Sequence, residues 1–147
     1  MTFELLDIQR CTFSKHEELD AQQERYVEKG NVFLRAFNKR SFLSVVEPTI
    51  IYLTDYTKEH FVTQEAFMAL HQYPAIENHV VEHNRQVREV ARSLKSLLQY
   101  KAKENHFAME ALGMTLTMLI TDWFEFHILE TDTRLNEFIR FEIRKVK

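Results

Sequence analysis

Residues 55–83 read DYTKEHFVTQEAFMALHQYPAIENHVVEH, and the reading of this stretch decides the fold. It breaks at Tyr73-Pro74, because the residue before a proline is biased away from the α region. Upstream of the break, Tyr56, His60, Gln64, Phe67, Met68 and His71 recur on one face of a helix, while Lys58, Glu59, Thr63 and Glu65 largely fall off it. Downstream, Ile76, His79, His83, Val87, Val90, Leu94, Leu97 and Leu98 define the inward face of a second helix, expected over about residues 75–103. His79 and His83 are four apart. That spacing stacks two side chains on one helical face and lets two imidazoles meet one metal. A fragment further on, WFEFHILETD at 123–132, adds His127 and Asp132. Histidines and a carboxylate projecting from separate helices are a donor set for a metal site inside a bundle.

Working outward, 147 residues are enough for one domain with a real core. Two Gly and two Pro leave little for turns, and the abundance of Glu, Gln, Lys, Arg, Leu and Ala points to an all-α chain. Twelve Phe, five Tyr and one Trp imply an aromatic interior. A formal net charge of -3 with acids and bases interspersed offers no basic face to nucleic acid. The single cysteine, Cys11, cannot form an internal disulfide and fits a reducing compartment. MTFELLDIQR lacks the apolar core of a signal peptide, and the longest apolar-leaning run, Ala111 to Ile120, is too short to span a bilayer. A soluble cytoplasmic protein with no membrane partner is the expectation.

Residues 1 to about 17 show no sustained helical period and read as an arm lying on the bundle, with His16 as an exposed arm residue. The first helix is expected from about Glu18 to Asn38, with Leu19, Gln23, Tyr26, Val27, Gly30, Phe33, Leu34 and Phe37 facing inward. Gly30 on that face reads as close packing. Pro48 suits a helix's first turn, so the second helix is expected to start there. The fourth helix passes through Leu112, Leu116, Leu119, Ile120, Trp123 and His127. From His127 to Asp132 is about 140° on a regular α-helix, so both reach one centre only through unequal side-chain reach or a locally widened turn. Glu82, Arg85, Arg88, Glu89, Arg92 and Lys95 form an ordinary solvated face of the third helix.

The fragments DYTxxHF, M, YP, HxxxH and WxxxHIxxxD, in this order over about residues 19–133, resemble the hemerythrin family in its bacterial form. That resemblance implies an up-down-up-down four-helix bundle holding two non-haem irons that bind dioxygen reversibly. The expected layout is a single domain over 1–147, with the arm at about 1–17 and the bundle at about 18–133. A C-terminal arm or short helix follows at about 134–147. By the same resemblance, His79, His83 and His127 bind one iron and Asp132 bridges to a second, which would take His60. Two family ligand positions are changed: Gln23 stands where the family has its first histidine, and Gln64 where it has a bridging glutamate. Glu65 matches an outer acid of the family and, about 100° around the helix from Gln64, is expected to lie off the site. Gln86 stands where many members carry phenylalanine.

A neutral amide is a weaker iron donor than an imidazole and lacks a carboxylate's charge. The changes therefore fall on the oxygen-binding half, and the leading expectation is an iron protein with a single-metal or asymmetric site, not an enzyme. Dioxygen or another small diatomic molecule is the expected ligand, for carriage, storage or sensing. One alternative is a working two-iron oxygen binder using Gln23 and Gln64 as ligands or recruiting Glu65. Another is a metal-free or metal-stabilised interaction module. Three imidazoles and a carboxylate also suit zinc.

Overall fold

Both glycines of the chain lie inside helices, so the three interhelical turns use other residues in the left-handed conformation. Arg40, Gln72 and Glu104 take φ of 57°, 51° and 50°. Each is the second residue past the end of its helix and closes it with a paired hydrogen-bond motif. Ser41 N–H donates to Ala36 C=O (2.8 Å), Tyr73 to Met68 (3.0 Å) and Asn105 to Tyr100 (3.1 Å), satisfying carbonyls the helix end would orphan. The left-handed residue costs about 1–2 kcal/mol each time for a side chain with a Cβ.

These turns separate the helices of a computed structural model describing residues 2–146. A 3-10 turn at Ile8–Arg10 precedes α1 (Glu17–Asn38), α2 (Leu43–Leu70), α3 (Ile76–Ala102) and α4 (His106–Asp122). A π-helical segment, Trp123–Asp132, then leads into α5 (Thr133–Val146). Trp123 and Thr133 keep right-handed helical dihedrals, so α4, the π segment and α5 form one uninterrupted helical run. Short turns between long helices make sequential neighbours antiparallel, and the chain is an all-α four-helix bundle. No helix among the described residues is long and apolar enough to cross a membrane.

Three expectations need correction here. The second helix starts at Leu43, not at Pro48, which lies inside it. The preceding Phe42 is buried so closely on Gly113 that an added Cβ there would stand 2.5 Å from its ring, and this tertiary contact anchors the earlier start. Val87 and Leu98 are exposed, since the core-facing stripe of α3 is narrower than its apolar residues suggest. His16 is half-buried and caps α1, its Nδ1 accepting the Leu19 N–H at 3.3 Å.

The arm is stitched to α1 by a stripe of side-chain amides. Asn31 accepts from Leu6 N–H (2.7 Å) and donates to Leu6 C=O (2.9 Å). Asn38 does the same for Phe3, at 2.8 Å each way. Such pairs replace the backbone partners that an arm outside any sheet would lack. Arg10 also forks onto Glu125 at 2.9 and 3.1 Å. Gly30 lies under the arm, where a Cβ would stand 2.9 Å from Leu6 and 3.1 Å from Ile120, so close packing is its role.

The apolar interior has two parts. The larger runs through Tyr26, Leu34, Ile50, Phe61, Leu116, Ile120 and Ile128. The smaller, Met68, Tyr73, Leu135 and Ile139, docks α5 onto the end of α2 and the start of α3. On α2, α3 and the last helical run, the candidate site residues come between the two parts. A buried polar layer divides the core.

Candidate metal centre

Helical phase alone places Gln64 on α2 and both His79 and His83 on α3 facing the interior. The last helical run does the rest by changing its winding. A π-helix bonds residue i to i+5, and the segment Trp123–Asp132 is wound this way. His127 and Asp132, five apart, are thereby turned towards one centre, the widened turn being the one of the two routes that the chain takes. Both are buried, as are His79, His83 and Gln64.

The donor atoms converge. One ring nitrogen each from His79, His83 and His127 lies within 4.8 Å of the others, the one such group of three among the described residues. Asp132 Oδ1 stands 3.2 Å from His79 Nε2 and 3.1 Å from His127 Nε2. Gln64 Oε1 stands 2.9 Å from His79 Nε2 and 2.9 Å from His83 Nε2, and its Nε2 donates to Asp132 Oδ1 at 3.1 Å. Donors at about 2.1 Å from a shared ion stand about 3 Å apart at right angles. The four nitrogen–oxygen separations match that spacing.

The rings are held from the side. Trp123 stacks on His127 with centroids 3.7 Å apart, and Phe61 stacks on His83 at 4.0 Å. They are also held from behind by two carboxylates that sequence reasoning missed. Glu82, expected on the solvated face of α3, has its Oε1 2.9 Å from His127 Nδ1 and accepts from Thr131 Oγ1. Glu65, expected off the site, has its Oε2 2.8 Å from His83 Nδ1. It reaches no inner donor, but its side chain folds back to the outer edge of a site imidazole. Glu65 five residues after His60 and Glu82 three after His79 are the only sequence signal, and such spacings are common on any charged helix.

His60 and Gln23 are buried but engaged elsewhere. His60 Nδ1 lies 2.8 Å from Gln22 Oε1, and the same amide donates to Glu18, which fixes its orientation. Tyr56 stacks on the other side of the ring at 4.8 Å. Gln23 donates to Thr12 C=O at 2.9 Å, joining Asn31 and Asn38 in the stripe that holds the arm. His71 ends α2 and packs on Phe67.

Electrostatics follow from burial and pairing. Burial alone would raise the Asp132 pKa, but the imidazoles of His127 and His79 hold it well below the usual carboxylate range. Burial pulls His127 down, yet Asp132 and Glu82 outweigh it and the pKa is raised. Burial, reinforced by His127 and His79, pushes His83 down to about 2, and burial pushes His60 down to about 4. Burial lifts the Cys11 thiol to about 11, which makes it a poor metal donor or nucleophile.

A metal fits this donor set on a specific ground. His127 Nε2 is fully buried and faces the cluster, 3.1 Å from Asp132 Oδ1 but out of line for a hydrogen bond to it, and has no other partner. An orphaned imidazole nitrogen beside an ionised carboxylate is the arrangement a divalent cation satisfies. A groove of about 520 Å³ between α3 and α4 reaches this nitrogen's ring, with Glu82, Gln86, Trp123 and Phe126 on its walls. The chain was compared with known proteins by three routes, and no family model, curated protein or solved structure matches it.

Proposed function

We propose that the protein is a hemerythrin-like non-haem iron-binding protein with a single-metal site, held by His79, His83, His127 and Asp132. The observation carrying this reading is the buried convergence of three imidazole nitrogens and Asp132 Oδ1, with His127 Nε2 unpartnered. Gln64 Oε1 is a fifth neutral donor at the right spacing. Support for one ion and not two comes from the other half. There Gln22 takes His60 Nδ1 and the arm takes the Gln23 amide, and no second group of three donors forms among the described residues. Ferrous iron, when bound, supplies a redox-active centre able to take a diatomic ligand such as dioxygen. The chain's own contribution is to hold the donors rigid between aromatic rings.

A second reading has its own observation. Gln64 hydrogen-bonds His79, His83 and Asp132 together, which closes the polar layer without any ion. A metal-free interaction module is the function that follows from it. Anaerobic titration with ferrous iron separates the two. One tight event per chain is expected, lost in His79→Ala and His127→Ala, with thermal stability rising as the ion is added. Absence of binding, and no stabilisation by zinc, would leave the scaffold reading standing alone. Two equal tight events would refute the single-ion site.

A further inference from the structure

Resting on the metal reading above, we infer that Glu65 and Glu82 are positioning residues. Each takes the Nδ1 proton of a site histidine, and so presents the Nε2 lone pair of His83 and of His127 to the ion.

The arrangement is repeated on two helices. Glu65 Oε2 is 2.8 Å from His83 Nδ1, and Glu82 Oε1 is 2.9 Å from His127 Nδ1. An ionised carboxylate only accepts, so the ring nitrogen facing it must carry hydrogen. A metal ligand must be a neutral imidazole with a single N–H, so in the ligating form Nε2 of both rings is bare. Inward, those nitrogens meet only acceptors. Gln64 Oε1 lies 2.9 Å from His83 Nε2, and Asp132 Oδ1 lies 3.1 Å from His127 Nε2. Gln64 cannot turn over to help, because its Nε2 already donates to Asp132 and a flip would set oxygen against oxygen. Lone pairs facing each other at this distance need positive charge between them, a proton on the imidazole or, in its place, a metal ion.

The outer carboxylates thus turn the inner layer into a receptor for a cation. Each is itself steadied or placed for the task. Thr131 Oγ1 donates to both Glu82 oxygens, at 2.9 and 3.1 Å. Both acids are partly exposed, at 35% and 27% of their side-chain surface, with their outer sides open to solvent. His79 has no such partner. Its Nδ1 is buried and unpaired, so the effect belongs to His83 and His127 alone.

The test is titration of the full chain with ferrous iron, beside Glu65→Ala, Glu82→Ala and Glu82→Gln. Loss of the partner behind a ligand histidine weakens metal binding about 10- to 100-fold, which is the effect expected of each alanine. Glu82→Gln should lose less, because Thr131 keeps the amide oxygen in place to accept from His127. Nitrogen NMR of the zinc-loaded protein should find hydrogen on Nδ1 of both His83 and His127. Glu82→Ala should alter the His127 signal only. A role in helix packing alone would produce neither the site-specific signal nor the ordering of alanine below glutamine. Unchanged iron affinity in the variants, or hydrogen on Nε2 of His83 or His127 in the zinc form, would overturn the inference. Should an alanine variant fold poorly, Glu65→Gln and Glu82→Gln with the same two measurements decide it. Unmodified protein that binds neither ion sinks the metal reading itself, whereas tight binding with indifferent variants sinks only the positioning role.

Discussion

Gln64→Glu replaces an amide by a carboxylate at the centre of the polar layer. The Gln64 nitrogen lies 3.1 Å from Asp132 Oδ1, so the substitution sets two carboxylate oxygens at that separation. Two unit charges 3.1 Å apart repel by about 5 kcal/mol at an effective dielectric of about 20. The lost hydrogen bond adds about 1–3 kcal/mol. Taking up one proton between the pair costs less, as happens when carboxylates share a site. The folded variant then binds a proton that the unfolded chain does not. Stability therefore falls as pH rises, by about 1.4 kcal/mol for each pH unit. Relative to the unmodified chain, the metal-free variant should lose about 3 kcal/mol between about pH 5.5 and 7.5. For a chain of this length that is roughly 6–12 °C in melting temperature. Ferrous iron or zinc should reverse the order, because the added charge then faces a cation. The assay is paired thermal melts of both proteins, with and without metal, at the two pH values. If the gap between metal-free variant and parent does not widen with pH, Gln64 does not stand against Asp132. The site geometry would then be wrong.

Burial lowers the His60 pKa to about 4, so this histidine stays neutral in the folded chain while its unfolded counterpart charges near 6.5. A lowered pKa contributes stability above the unfolded value and loses it as pH falls. Urea unfolding should thus weaken by up to about 1.4 kcal/mol per pH unit below 6.5, and His60→Leu should flatten that slope. Equal slopes would mean that His60 is charged in the fold. At the arm, Asn31→Ala strands both backbone groups of Leu6 and should cost about 2–4 kcal/mol, with the arm becoming open to protease. Arg10→Ala removes an exposed ion pair with Glu125 and a distant contact with the Phe124 ring, and should leave the melting temperature nearly unchanged. Equal protease resistance in Asn31→Ala would show that the arm is held by its apolar contacts instead.

What the sequence determined by itself is the part of the molecule set by local periodicity. Helical repeats, sparse glycine and the Tyr73-Pro74 break specify an all-α bundle, because a face that recurs every 3.6 residues must bury against another. The same repeats turn His79, His83 and Gln64 inward, and the five-residue interval from His127 to Asp132 already asks for unequal side-chain reach or a widened turn. Tertiary structure alone decided how the polar groups pair. Whether Gln23 meets a metal or the arm depends on where Thr12 lies, eleven residues earlier in an arm with no helical period. Whether His60 faces a donor set or Gln22 depends on the approach of α1 to α2. Glu82 and Glu65 look like solvated charges from their helical phase, yet long side chains at the edge of a helix can fold back to a neighbour's histidine. Phase specifies a direction from the helix axis; partners are chosen by crossing angle, side-chain length and the winding of the opposing helix, none of which a single helix's residues contain.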